Sequence, residues 1–327
     1  MRSRLTSRLL KNRSLVLLSG ERTSIPRAEA QALFLTYDSS SKFVSPEERV
    51  LIVQSSADPL LVGTRVAFAR RVGFMISDPS DAADVIKGKK VRMRVYSLSV
   101  GGATNDWQKM LQSIDAKIDL ENPDFEFTVV EGKRRYLALS SPLKMSQGWS
   151  LRRPRQRAFF HPSAIFPKLS RALVNLSRCR AGDLFLDPFA GTGSLPLEAA
   201  EVGAKVLAFD QSEKMTHGLL ANMKKFGQQW LGVVRCDSLM PPLSGVNAIA
   251  TDVPYGRASS TRGRDVRSIV QAAVETMPAL LSRGSRMVMM HPKHVPVEPT
   301  SDWALEEQHH LYVHKLLTRT ITVLRRR

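Results

Sequence analysis

Cysteine is almost missing from this chain. Cys179 and Cys236 are the only two in 327 residues, too few for a disulfide framework or a four-thiolate metal site. They read as small core residues of a protein kept in a reducing compartment. Long apolar runs are missing too: none approaches the roughly 20 residues a helix needs to span a bilayer, and no long basic amphipathic helix marks a membrane-surface protein. There is no internal repeat and no low-complexity block. His291, His294, His309, His310 and His314 crowd the last part of the chain, but none sits in an H-x-x-x-H pattern with an acid on a recognisable helix, so no metal is expected. Acids are scarce beside bases: 30 Asp and Glu against 48 Lys and Arg leave a formal net charge of +18 and a pI near 10.3. Such an excess points to nucleic acid, because phosphates neutralised by Lys and Arg release their counterions. A merely solvated basic protein is the plainer alternative. The first stretch, MRSRLTSRLLKNRS, has no acid before Glu21; it is read as a basic arm of a cytoplasmic RNA-binding protein, with a transit peptide as the other possibility.

The chain falls into two halves around Met145–Arg157, a polar stretch carrying Arg152, Arg153, Arg155 and Arg157 without helical or strand periodicity. It reads as an interdomain linker able to touch phosphate. Before it, Ala28–Tyr37 and Trp107–Ile114 read as helices and Arg49–Val53 and Lys90–Val100 as strands. Phe125–Val130 and Arg134–Ser140 flank a turn at Glu131-Gly132-Lys133, as a hairpin would. This mixture suits a small α+β unit. Beyond the linker, helices at Pro167–Ser177, Leu195–Val202, Ser212–Phe226 and Val266–Leu281 alternate with strands at Leu184–Leu186, Lys205–Phe209, Leu231–Arg235, Ala248–Ala250 and Met287–Met290. Gly203 suits a helix C-cap. The alternation predicts a parallel, doubly wound sheet, to which Tyr312–Leu324 adds an antiparallel edge.

Ligands of open α/β sheets bind at the carboxyl ends of the strands. Four successive strands here end at or near an acid: Asp187, Asp210, Asp237 and Asp252. One such acid is an ordinary cap; a row of four marks a site. The loop D-P-F-A-G-T-G-S places Gly191 and Gly193 where a Cβ would collide with a ligand. Pro196 replaces the third glycine of a dinucleotide fingerprint and suits a helix's first turn. Asp210 lies at the spacing of an acid that grips ribose hydroxyls, and Asp237 can accept from an adenine amino group. The segment T-D-V-P-Y-G-R-A-S-S, from Thr251, resembles the D-P-P-Y motif of amino-group methyltransferases that use S-adenosylmethionine. The physical case is independent. A ring-conjugated amine is a poor nucleophile, and a carboxylate with a backbone carbonyl accepting its two N–H groups redirects the lone pair and takes up the released proton. An aromatic face holds a flipped base by stacking. Asp252 is then the acceptor, the carbonyl of Val253 the second acceptor, Pro254 the rigid spacer and Tyr255 the stacking platform.

Across both halves the chain resembles the archaeal and eukaryotic tRNA guanine-N2 methyltransferases that act on guanosine 10. The resemblance rests on S-G-E-R-T-S-I-P-R-A-E-A from Ser19, I-D-L-E-N-P-D-F-E-F from Ile118, and R-A-F-F-H-P-S-A-I-F-P-K-L-S-R-A-L-V-N-L from Arg157. It rests also on the two site motifs and on L-T-R-T-I-T-V-L-R-R near the end. Residues 38–110 match only loosely. It implies a Rossmann-like class I methyltransferase domain over residues 159–327, joined by a linker at 144–158 to a THUMP-like RNA-binding domain at 61–143. Residues 1–60 would be a basic arm with a ferredoxin-like segment. It implies S-adenosylmethionine as cofactor, with Asp187, Ala190, Gly191 and Gly193 on its methionine side, Asp210 and Gln211 at the ribose, and Asp237 and Ser238 at the adenine. The partner is tRNA, held in part by Arg152, Arg153, Arg155, Arg257, Arg262 and Arg264; no membrane partner and a monomeric state are expected. Val253 stands where the family usually has proline. The number of methyl groups added and the need for a small activating subunit stay open. Other RNA or DNA amino methyltransferases and a catalytically weak RNA-binding protein are the alternatives, with a dinucleotide oxidoreductase more distant. Arg267 joins the arginines of a phosphate-facing loop, and His161-Pro162 frames the pocket or makes a turn.

Overall fold

The computed structural model describes residues 12–21, 23–98, 116–142, 148–237, 239, 243, 245–255, 265–315 and 317–327. The chain divides into two units, one of residues 1–22 and 33–145 and the other of residues 23–32 and 146–327. Met1 to Lys11 of the basic arm and the expected Trp107–Ile114 helix lie outside the described residues.

The described strands of the N-terminal unit are β1 (Arg13–Leu18), β2 (Lys42–Glu47), β3 (Val50–Gln54), β4 (Ala69–Ile76), β5 (Lys90–Ser97), β6 (Lys117–Ile118), β7 (Phe125–Glu131) and β8 (Arg135–Ser140). They form one mixed sheet in the order β2-β3-β1-β4-β8-β7-β5-β6. The expected hairpin is present, with β7 antiparallel to β8 and Gly132 N donating to Arg134 O. Strands β1 and β4 escape the sequence reading because RSLVLL and ARRVGFMI are buried on both faces and lack alternation. Gly73 in β4 admits the neighbouring strand so closely that a Cβ there would lie 2.5 Å from Leu139 O. Strand β1 pairs with β4, so strands from both sides of residue 60 contribute to this sheet. Glu126 is fully buried in this unit and holds three guanidiniums, those of Arg71, Arg92 and Arg94.

The second unit carries β9 (Leu184–Asp187), β10 (Lys205–Asp210), β11 (Gly232–Arg235), β12 (Val246–Asp252), β13 (Leu281–Pro292), β14 (Trp303–His314) and β15 (Leu317–Arg326). Their order is β11-β10-β9-β12-β13-β15-β14. The first five are parallel, and β15 runs antiparallel to β13 and β14. Helices Pro167–Leu176, Ser194–Glu201, Glu213–Lys225 and Val266–Thr276 alternate with the parallel strands, as expected. The tail differs from expectation. Tyr312–Leu324 is not one edge strand but straddles a hairpin, and the edge is the charge-bearing β14. The last expected helix also ends early, at Thr276. Pro278 sits in the 3-10 turn that follows, where its missing N–H stops the helical ladder. Trp303 is buried in the main core of this unit with Leu186, Phe209, Ile249, Val270 and Met289, its indole donating to Val274 O.

The arginine-rich stretch expected to touch phosphate is partly inverted. Arg152 is only 5% exposed; its Nε lies 2.7 Å from Glu198 Oε1, and Arg171 reaches the same carboxylate at 2.8 Å. Both guanidiniums lie against the Trp149 ring. Arg157 is buried as well and donates to Arg152 O, Ser194 Oγ and Ile165 O, and burial pulls its pKa down to about 10. Arg152 is therefore corrected from an RNA contact to an internal brace, whereas Arg153 and Arg155 are exposed. Removing one member of a buried ion pair strands its partner's charge. Glu198→Ala is expected to destabilise the protein by about 3–5 kcal/mol, read as a lowered urea midpoint; an unchanged midpoint would show that this cluster does not brace the fold.

Candidate active site

The carboxyl ends of the parallel strands meet at a cavity of about 1040 Å³, counted out to its open mouth. Asp187 closes β9, Asp210 closes β10 and Asp252 closes β12, and all three line it together with Ala190, Gly191, Gln211, Val253, Pro254 and Tyr255. His161 and Ser163 line it too, bonded to each other at 2.7 Å. Asp237 and Gly193 are not in the lining. Asp237 instead accepts from Gln211 Nε2 and Leu239 N. Gly193 turns into the Ser194–Glu201 helix at φ 86°, with its back 2.9 Å from Leu219 Cγ measured from an added Cβ. Ser238 lies outside the described residues.

The three acids are held differently. Asp187 is 1% exposed and accepts from Thr251 Oγ1 at 2.7 Å and from Phe189 N at 3.2 Å. Burial pushes it up to about 8 against those hydrogen bonds, with the nearby charges of Asp252 and Asp210 acting in the same direction as burial. Asp210 accepts from Gly191 N at 2.9 Å and Ser212 N at 2.8 Å; burial raises its pKa while the two N–H groups oppose the rise. A carboxylate has about four lone-pair sites, so two hydroxyls can still bind it. Asp252 accepts from Tyr255 Oη at 2.6 Å and faces Arg319 Nη1 at 3.9 Å. Burial lifts it to about 6, against the Arg319 charge and the Tyr255 hydrogen bond.

The backbone fixes these positions. Ala190 N donates to Phe209 O and Gly193 N to Ala190 O, which closes the glycine loop against β10. Gly191 has φ 50°, and a Cβ there would project into open space, leaving room for a ligand against bare backbone. Asn222, fully buried in the Glu213–Lys225 helix, donates to Thr192 O and Phe159 O and accepts from Phe159 N. It ties the loop to the segment that carries His161. Val253 N donates to Met290 O at 3.0 Å, and its side chain is 1% exposed in the core. Tyr255 lines the cavity with the Arg319 guanidinium 5.1 Å from its ring centroid.

Arg319 and Asn222 are absent from the sequence reading. Each leaves a signal: a cation in phase with Ile321 and Val323 on β15, and an amide on the apolar side of a helix, both breaking the local pattern. Arg257, Arg262 and Arg264 lie outside the described residues, and Arg267 pairs loosely with Glu298 at 3.8 Å. His291 bonds to Thr322, His310 to Thr320, and His309 to Ser24 and Glu307.

A row of acids, a glycine loop and D-V-P-Y at one end of this sheet define a class I methyltransferase. Residues 154–320, just over half of the chain, match the family described as RMKL-like, methyltransferase domain (UPF0020), and the chain belongs to that family. It is 27% identical to a tRNA (guanine(10)-N2)-dimethyltransferase of Methanothermobacter thermautotrophicus, over 95% of this chain and 99% of that protein. The protein of the same name from Methanocaldococcus jannaschii is 32% identical over 65% of this chain and 61% of its own length. Among solved structures, TrmN from Thermus thermophilus shares the fold, with a TM-score of 0.51 and 18% identity over 96% of this chain and 100% of that one. The methyl donor of the class is S-adenosylmethionine, and the residues fit it. Gly191 leaves room beside the loop, and Asp210 has lone pairs for a ribose diol. Among the described residues no helix is long and apolar enough to cross a membrane.

A protonated Asp187 stabilises the fold. That contribution is complete below the carboxyl's unfolded pKa of about 4 and is lost as pH rises through about 8. Asp187→Asn keeps an uncharged acceptor for Thr251, so the variant is expected to lose less stability than the wild type between pH 5 and pH 8.5. Urea unfolding at the two pH values measures this, and equal losses would contradict it.

Proposed function

We propose that this methyltransferase modifies the exocyclic N2 amine of a guanosine in tRNA, at position 10. The observation that carries the reading is the acceptor pair at the end of β12, Asp252 with the carbonyl of Val253, beside the ring of Tyr255 at the cavity wall. The printed names of the archaeal relatives support the choice of base and RNA. So does that of a Saccharomyces cerevisiae tRNA (guanine(10)-N(2))-methyltransferase, 27% identical over 45% of this chain and 40% of that protein. The net charge of +18 supports an RNA partner.

S-adenosylmethionine, when bound, supplies an activated methyl group. The chain's own residues hold and prepare the amine. Asp252 and the Val253 carbonyl accept its two N–H groups and turn its lone pair outward, and Asp252 takes the proton that the amine gives up. Burial suits Asp252 to both roles, since a carboxylate lifted to about 6 is still ionised at neutral pH yet is a stronger base than an ordinary one. Pro254 keeps Val253 extended, and the cavity-facing side of Tyr255 stacks on the base. The work is positioning and hydrogen bonding, with no covalent intermediate on the protein. In the same reading, residues 61–143 are a THUMP-like region that holds RNA, residues 1–60 join a basic arm to a ferredoxin-like segment, and the protein acts in the cytoplasm as a monomer.

Mass spectrometry of nucleosides and of ribonuclease fragments from an unmodified tRNA transcript, treated with the chain alone and S-adenosylmethionine, tests this. N2-methylguanosine or N2,N2-dimethylguanosine mapping to position 10 is expected; modification of another amine overturns the substrate. Asp252→Asn is expected to slow methylation by about 100-fold or more with cofactor and tRNA binding kept. A variant as fast as the wild type would falsify the role of Asp252.

A further inference from the structure

Arg319 lies on β15, the antiparallel strand beyond β13, opposite Pro292 on one side and Leu311 on the other. Nothing in the amine chemistry so far requires it, yet its side chain is 15% exposed and touches both residues that would handle the base. Its guanidinium carbon sits 5.1 Å from the Tyr255 ring centroid, a cation–π distance, and so occupies one face of the ring. Its Nη1 is 3.9 Å from Asp252 Oδ2. That separation is too long for a hydrogen bond, so Oδ2 keeps its lone pairs, while it is short enough for the opposite charge to favour the carboxylate. Tyr255 Oη already takes one lone pair of Oδ1, which leaves Oδ2 as the oxygen with both lone pairs open to an incoming amine. Arg319 Nε is buried and has no hydrogen-bond partner among the described residues.

We propose that Arg319 is a positioning residue of the amine site: it seats Tyr255 for stacking and keeps Asp252 charged without consuming the oxygen that accepts the substrate. The inference rests on the reading of Asp252 as the amine acceptor. Lysine is a poor substitute for one half of this role, because an ammonium is a compact, strongly hydrated charge while the planar guanidinium stacks on a ring. Among the described residues, the titratable groups facing Asp252 are Asp187 on β9, Tyr255 in the motif and Arg319 on β15, with Asp210 and His161 elsewhere in the cavity lining. Of these, Arg319 and the Tyr255 hydroxyl oppose burial at Asp252, and the Arg319 charge is the larger influence, so its loss moves Asp252 toward the neutral form.

The test compares wild type, Arg319→Gln and Arg319→Lys in the position-10 tRNA assay, with pH profiles of kcat/KM from pH 5 to 9. Binding of S-adenosylhomocysteine by calorimetry checks folding. The acid limb of the Gln variant is expected to move up by about one unit or more. In the Lys variant the limb stays at the wild-type position while KM for tRNA rises severalfold, to about tenfold, because charge is kept and stacking is lost. A Gln profile that does not move, or a Lys limb displaced as far as the Gln limb, overturns the inference. If the Gln variant does not fold, the Lys variant decides: raised KM with an unmoved limb supports the role, and wild-type values in both sink it. A wild type that leaves guanosine 10 unmodified refutes the underlying reading instead, so the two failures are distinguishable.

Discussion

Three carboxyl groups share one desolvated edge of a parallel sheet, and the second unit is arranged around holding them there. Like charges at close range in low dielectric oppose ionisation, so three identical, unassisted aspartates could not all stay charged. The structure gives each a different environment. Asp187 is buried most completely, with a threonine hydroxyl from β12 and one backbone N–H, and it is the one driven to the neutral form. Asp210 is held by N–H groups on either side of the loop and helix start. Asp252 has a cation nearby and a phenol. Separating otherwise equal groups by surroundings is how one sheet edge can carry different roles at neutral pH.

Those surroundings depend on side chains well away from the cavity. The glycine loop owes its position to Asn222, whose amide bonds to backbone on both the loop and the Phe159 segment. Phe159 in turn packs onto Gly218, where an added Cβ would lie 2.1 Å from the ring. The helix leaving the loop is pinned from its outer side by Glu198, which gathers Arg152 and Arg171 around Trp149. Interiors packed this closely relax little when one member changes. Substitutions at these residues therefore act on the site through the placement of Asp187 and Gly191, although none of the residues meets a ligand.

The sequence is informative where chemistry is local and weak where it depends on distant partners. The parallel half of the sheet is legible because short apolar runs alternate with helical ones, and four of its five strands end at or near an acid. Asp252, Val253, Pro254 and Tyr255 are contiguous, so their roles can be read together. Asp237 shows the limit. It follows its strand as the other acids do, yet its carboxylate turns to Gln211 and Leu239. Arg152 shows a second limit, because an arginine in a polar stretch looks solvated until Glu198, on a later helix, is brought beneath it. Arg319 is a third, since nothing in L-T-R-T-I-T says which strand end lies beside it. Strands β1 and β4 are hard to read for the related reason that burial on both faces removes alternation.

Val253 joins these two levels. Beside the proline of similar motifs it looks like a loss of rigidity, and its hydroxyl-free side chain can do nothing for an amine. The structure assigns its parts separately. The side chain is core, and the N–H donates to Met290 O, adding a hydrogen bond beyond the last β12–β13 register pair, Asp252 with Met290. Proline has no N–H and could not make that bond. Valine thus fixes the segment by extending the ladder where proline would fix it by restricting φ, and both leave a carbonyl as the remaining backbone group. Pro254 continues to restrict Val253 from the other side. The departure from the motif is a change in how the acceptor carbonyl is held, not in whether the chain has one.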